Sequence, residues 1–207
     1  MRNGIGVSEE ACITLVTGAP RSGTSLLMQM LGAGGLPLCA DAQRPADADN
    51  PRGYFELAAV RRSREDTGWL AQAVGRAVKV IHALVPCLPP DRAYRVVDVR
   101  RDWAEVLASQ RRMLERAGQA ADPADDARLA ALLEAQREAM ERWARRRAAA
   151  PLLRLDYAAV IAEPARAAAR LNEFVGGGLD AAAMARVVEP RLHRQRANPA
   201  RPAGFVE

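Results

Sequence analysis

Aromatic residues are scarce, at 4% of 207 positions. A chain so short of rings must build its core from Ala, Leu and Val, and it offers few platforms on which bases could stack, so nucleic acid is not an expected partner. Long apolar runs are missing too: no stretch approaches the 18 or more residues of a membrane-spanning helix, and the opening MRNGIGVSEE lacks the apolar segment of a signal peptide. The expectation is a cytoplasmic protein that does not engage a membrane. The three cysteines, Cys12, Cys39 and Cys87, are odd in number, scattered and without C-x-x-C spacing, which excludes a disulfide framework and a zinc cluster. His82 and His193 are the only histidines, and with no supporting cysteines or carboxylates at ligand spacing no metal is expected. Lysine is nearly absent: of 30 basic residues only Lys79 is lysine. Arginine is a planar, permanently charged fork and lysine a compact point charge, so the one retained lysine is a candidate for a task that arginine cannot perform.

What is present is ordinary for one globular domain: 49% apolar and 27% charged residues over 207 positions. We read residues 1–207 as a single domain with a loose lead-in at 1–10 and a basic, Pro-rich tail at 189–207. The net charge of +5 and a pI near 9.7 favour anionic ligands.

The run ACITLV at 11–16 carries β-branched residues into Gly18 and Pro20, as a buried strand enters a turn. Ser22 and Thr24 offer capping hydroxyls to a helix, SLLMQML, that ends in the glycine-rich stretch at 32–35. Residues 38–54 read as a loop with a turn at Asn50-Pro51-Arg52-Gly53, and 55–74 as weakly helical. Further strands are expected at 77–85, 94–100 and 151–157. Helices follow at 102–117, with Asp102 as N-cap, from Pro123 to about 149, and from Pro164 to the glycines at 176–178. Strands alternating with helices imply an α/β fold of three layers, a central parallel sheet flanked by helices, with ligands at the carboxyl ends of the strands.

The first strand–helix junction, ITLVTGAPRSGTSLL, has the outline of a P-loop. Gly18 and Gly23 are spaced as in G-x-x-x-x-G-K-[ST], yet Thr24 stands where the lysine belongs. A small-residue turn at a helix start gathers backbone N–H groups and the positive end of the helix dipole on an anion, with no side chain required. Arg21, inside the turn after Pro20, can add charge-assisted hydrogen bonds, and Ser22, Thr24 and Ser25 add hydroxyl donors.

GAPRSGTSLL resembles the 5′-phosphosulfate loop of sulfotransferases that use 3′-phosphoadenosine 5′-phosphosulfate (PAPS), where P-[KR]-S-G-T-[TS] replaces the Walker pattern. VRRDWAEVLASQ is similar to the family's 3′-phosphate segment, R-[DN]-P-x-x-x-x-x-S, with Arg101 and Ser109 at the positions of its Arg and Ser. NPRGYFE, LLRLDYAAVIAEPARAAARLNEFVG and EPRLHRQR look like the bacterial branch. Trp103 departs from the family's proline, Leu26 from the tryptophan of the cytosolic branch, and the C-terminal Arg-Lys-Gly loop has no clear match. The resemblance implies a P-loop-type sulfotransferase fold, PAPS held by Gly18, Pro20, Arg21, Ser22, Gly23, Thr24, Ser25, Arg101 and Ser109, and transfer of a sulfuryl group to a hydroxyl, or an amine, of a small molecule or glycan without a metal. Arg21 matches the cation that helps the leaving group.

Two residues compete as the base that takes the acceptor proton. Glu56, in NPRGYFE, resembles the position where other branches place a glutamate beside the loop. His82 follows Lys79 in a pattern like the cytosolic K-x-H, with one extra residue; since side chains alternate along a strand, Lys79 and His82 point to opposite faces of a regular one. A P-loop kinase using ATP and magnesium, with Asp98 or Asp156 at a strand end, and a catalytically silent nucleotide-binding protein are the alternatives. Acceptor-binding segments are expected at 38–69 and 116–147.

Overall fold

All five residues of β1, Ile13–Thr17, are buried, because the strand has a parallel neighbour on each side and helices over both faces. This computed structural model describes residues 12–190 apart from 48–49, 120–121 and 148–149. The remaining strands are β2 (Ala77–Lys79), β3 (Tyr94–Arg100) and β4 (Leu152–Asp156), giving an all-parallel sheet in the order β2-β1-β3-β4. Period-two alternation divides its side chains between two cores. Ile13, Leu15, Val78, Val80, Tyr94 and Val96 pack against Trp69 and, from α4 (Asp126–Arg145), Met140 and Trp143. Val16, Ala77, Val97, Val99 and Leu155 meet α1 (Thr24–Ala33) and, further along the chain, α6 (Pro164–Phe174) and α7 (Ala181–Arg186). Leu27, Met28, Met30 and Leu31 of α1 are fully buried. At about 1.5–3 kcal/mol for each such side chain, this row holds the helix that carries the loop firmly on the sheet.

The three-layer α/β architecture is the one the alternating pattern implies, and β3 has the expected bounds. Other boundaries moved for local reasons. β2 stops at Lys79, because β1, its partner, turns into the loop at Gly18; only the Val80 and His82 amides continue, donating to the carbonyls of Val16 (3.0 Å) and Gly18 (3.3 Å). The strand expected to run to 85 thus ends at Lys79, and Pro86 sits in a single 3₁₀ turn, Val85–Cys87. Ser22 and Thr24 do not cap α1: its N-cap is Gly23, with φ 114°, and Ser22 Oγ donates instead to the Ala19 carbonyl at 2.8 Å. Asp102 does cap α3 (Trp103–Arg116), accepting from the Ala104 and Glu105 amides. The helix expected from 123 begins as a 3₁₀ turn, Pro123–Asp125, and α4 ends at Arg145. Two short helices were not expected. One is α7, and the other is α5 (Tyr157–Ala162), which starts because Asp156 at the end of β4 accepts from the Ala159 amide at 2.9 Å. A four-residue helix, α2 (Leu70–Ala73), completes the set. Among the described residues no helix is long and apolar enough to cross a membrane. The lead-in at 1–10, the tail beyond Pro190 and His193 lie outside the described residues.

Candidate active site

The loop between β1 and α1 is shaped by backbone constraints before any side chain acts. The Ser22 amide donates to the Ala19 carbonyl at 3.1 Å, with Pro20 second in the turn and Arg21 third at φ 71°. That is the pattern of a type II turn, whose third position ordinarily takes glycine. A Cβ on Gly18 would lie 2.3 Å from Ser22 Oγ, and one on Gly23 would lie 2.4 Å from Tyr157 Cδ2, so neither position accepts a side chain without displacement. The loop delivers the chain to the start of α1, where a helix leaves its first N–H groups without intrahelical partners and carries about half a positive charge.

A cavity of about 390 Å³ opens there, of a size common for small-molecule sites. It is lined by most of the residues singled out in the sequence: Pro20, Arg21, Gly23, Thr24, Ser25, Glu56, Lys79, Arg101 and Ser109. Gly18 and Ser22 lie behind the lining and shape the loop. His82 is also elsewhere. Lys79 and Ile81 line the cavity, while Val80 and His82, one residue out of phase, turn into the protein. His82 Nε2 lies 2.7 Å from Asp98 Oδ1, and Asp98 Oδ2 accepts from Arg100 Nε at 3.0 Å; Arg100 continues to Glu141. Asp98 is fully buried, and although burial opposes its ionisation, the hydrogen bonds and charges of His82 and Arg100 hold its pKa below the usual value.

On the α3 side, the two segments that the sequence paired with the loop converge on Arg21. Arg21 Nε donates to Ser109 Oγ at 3.0 Å, and Arg101 Nη1 donates to the Arg21 carbonyl at 3.2 Å. Arg101 also holds Glu105 at 2.7 Å and lies 4.6 Å from the centre of the Tyr157 ring, the ring that packs on Gly23. On the β2 side, Lys79 Nζ donates to the Tyr54 carbonyl (2.9 Å) and Ser25 Oγ (3.1 Å) and reaches Glu56 Oε1 at 3.5 Å. Burial pushes its pKa down to about 8 against the opposing pull of Glu56, with the nearby charges of Arg44 and Arg21 adding to the fall. Burial alone would raise the pKa of Glu56, but Lys79, Arg61 (3.0 Å) and Arg44 (3.1 Å) overcome it and hold the carboxylate below its usual range. Two carboxylates line the site: Glu56, held ionised among cations, and Glu189, which pairs with Arg52.

Ser25 was expected to hold an anion, yet its hydroxyl is already a hub. It donates to the Tyr54 carbonyl at 3.2 Å and accepts from Asn50 Nδ2 (2.9 Å) and Lys79, tying the 50–56 segment to the first turn of α1. Of the two segments expected to bind the acceptor, the first supplies Arg44, Asn50, Pro51, Tyr54, Glu56, Leu57, Val60 and Arg61, whereas among its described residues the second contributes only Arg116; α4 packs against the sheet instead. Arg112, Met113 and Arg116 were overlooked, although they follow Ser109 at helical spacing and so share its face. Tyr157 and Arg44 gave no signal in the sequence. Among the described residues no three His, Cys, Asp or Glu side chains gather in a way that could hold a metal ion.

No family model matches this chain, and no curated protein does. Among solved structures, the chain is similar to a sulfotransferase from Alicyclobacillus acidocaldarius, with 15% identity over 86% of this chain and 87% of that one, and a TM-score of 0.51. The fold is sulfotransferase-like. At this identity the likeness is one of architecture, and the sulfotransferase-like sheet brings the loop, the end of β2 and the start of α3 to one cavity.

Proposed function

We propose that the chain transfers a sulfuryl group from PAPS to an acceptor hydroxyl, releasing adenosine 3′,5′-bisphosphate. The observation that carries this reading is the convergence of Arg21, Lys79 and Arg101 with the Glu56 carboxylate in a single cavity at the start of α1. The donor set fits the group: N–H donors of a helix start, a serine and arginine forks suit phosphate and sulfate oxygens. PAPS, when bound, would supply an activated sulfuryl group. The loop amides and Arg21 would hold its 5′ end and Arg101 with Ser109 its 3′-phosphate, and Lys79 would supply a cation to the charge that develops on the leaving group. Glu56 takes the proton of the acceptor hydroxyl. The carboxylates that a magnesium-dependent kinase would draw on are already engaged: Asp98 by His82 and Arg100, Asp156 as the cap of α5.

The discriminating experiment is thermal stabilisation. Adenosine 3′,5′-bisphosphate at 100 times its dissociation constant should add about 2.7 kcal/mol, and ATP–Mg²⁺ should add much less. Selective stabilisation by ATP–Mg²⁺ overturns the proposal. In Arg101→Ala the loss should be larger for the bisphosphate than for adenosine 5′-phosphosulfate, and equal losses would remove Arg101 from the 3′-phosphate.

A second expectation concerns pH. Because Glu56 is held ionised and Lys79 has a pKa of about 8, kcat/KM should be level between pH 6 and 7 and fall as Lys79 loses its proton above about 8. Lys79→Arg should carry whatever activity it retains without that limb. Stability moves the other way. With the lysine pKa lower in the folded state, the unfolded chain binds more protons between about pH 8 and 10.5, so the Lys79 contribution to stability rises with pH across that window. A wild-type profile with no decline below pH 9 would remove Lys79 from the reacting centre.

A further inference from the structure

The wall of the cavity next to Glu56 and Lys79 is aliphatic, and Leu26, Met113 and Ile161 line the cavity elsewhere. Leu57 follows Glu56 in the chain, Ile81 lies two residues beyond Lys79 on the same face, and Val60 and Leu84 complete a patch of four aliphatic side chains. Its backbone offers little more to a polar ligand. The Leu57 carbonyl already accepts from the Val60 amide (3.0 Å), the Val60 carbonyl from the Ser63 amide and hydroxyl (3.1 and 2.6 Å), the Ile81 carbonyl from Leu84 (2.9 Å) and the Leu84 carbonyl from Cys87 (3.0 Å). A carbohydrate placed here would give up its water for too few partners, at about 1–3 kcal/mol for each hydroxyl left unpaired.

The cavity's aromatic rings do not compensate. Tyr54 and Tyr157 line it, but the Arg44 guanidinium covers the first at 3.4 Å from the ring centre and Arg101 the second at 4.6 Å. A phenol has no open ring to stack on. Arg44 and Arg61, which also line the cavity, are paired with Glu56.

Resting on the proposed sulfuryl transfer, we propose that the acceptor is an aliphatic alcohol whose saturated carbon skeleton lies on Leu57, Val60, Ile81 and Leu84 with its hydroxyl at Glu56. The bond that forms joins the alcohol oxygen to sulfur, the bond that breaks joins that sulfur to the phosphate oxygen of PAPS, and the alcohol proton passes to Glu56.

The test is direct binding to the whole chain saturated with adenosine 3′,5′-bisphosphate, by titration calorimetry with 1-butanol, 1-hexanol and 1-octanol against 4-nitrophenol and methyl α-glucoside. Affinity should tighten roughly fourfold for each added methylene, and the phenol and the glucoside should bind at least tenfold more weakly than octanol. Ile81→Thr, which keeps the β-branch but is smaller and hydroxylated, should weaken octanol at least fivefold and leave stabilisation by the bisphosphate unchanged, which also reports that the variant is folded; Ile81→Leu should stay within threefold of wild type. A flat alcohol series, tighter binding of the phenol or the glucoside, or indifference to Ile81→Thr overturns the aliphatic acceptor. If the bisphosphate fails to bind while the alcohol slope and the Ile81→Thr loss stand, the hydrocarbon wall holds and the sulfuryl-transfer reading falls.

Discussion

Arg21→Gly should lower single-turnover transfer by about 10²–10³ while leaving the fold nearly as stable as wild type. The two effects separate because Arg21 occupies a left-handed backbone position, φ 71°, third in a turn that suits glycine. Relief of that conformation is worth about 1–2 kcal/mol. Set against it are the greater unfolded-state freedom of glycine, about 0.5–1 kcal/mol, and the lost hydrogen bond to Ser109, about 1 kcal/mol. Arg21→Ala loses the same guanidinium and keeps the strain, so it should be less stable than Arg21→Gly by about 1 kcal/mol at equally low activity. Urea midpoints and single-turnover rates on the three proteins check this. If alanine is as stable as glycine, or if activity falls only in step with stability, Arg21 serves the architecture of the loop rather than the reacting group.

Glu56→Gln and His82→Asn should separate chemistry from support. Loss of the base at Glu56 should cost about 10²–10⁴ in the transfer step, with bisphosphate binding retained. His82→Asn should do the reverse. It removes the partner of a fully buried Asp98 and leaves that carboxylate with Arg100, for a destabilisation of about 1–3 kcal/mol and a transfer rate per folded molecule within a few-fold of wild type. A rate collapse in His82→Asn with stability intact would reinstate the histidine as base.

The sheet and its order of elements were legible because the strands are apolar, parallel and separated by helices of ordinary length. β3 came out at its observed bounds since both of its ends are marked, by Tyr94 after a polar turn and by the Arg-Arg-Asp at 100–102. β2 did not, because its length is set by where β1 turns away, a property of the partner strand. The loop's glycines and Arg21 could be read from spacing alone. The engagement of Ser25 by Asn50, Tyr54 and Lys79 could not, since it joins three segments distant in the chain. The alternation argument that sent Lys79 and His82 in opposite directions describes the arrangement seen, and it needed only the period of an extended chain. The cavity residues Arg112 and Arg116 were within reach of a helical count from Ser109.

The sheet also divides the labour of the site. α1, which opens beneath the anion loop, rests on the core of one face, while Leu57, Val60, Ile81 and Leu84 belong to or lean on the core of the other. Substitutions on opposite faces of the sheet, where the side chains have no partner in common, add nearly independently. On the function proposed above, the aliphatic wall can be redesigned without disturbing the core beneath α1, so long as Ser25, Lys79 and the 50–56 segment keep the two parts of the site joined.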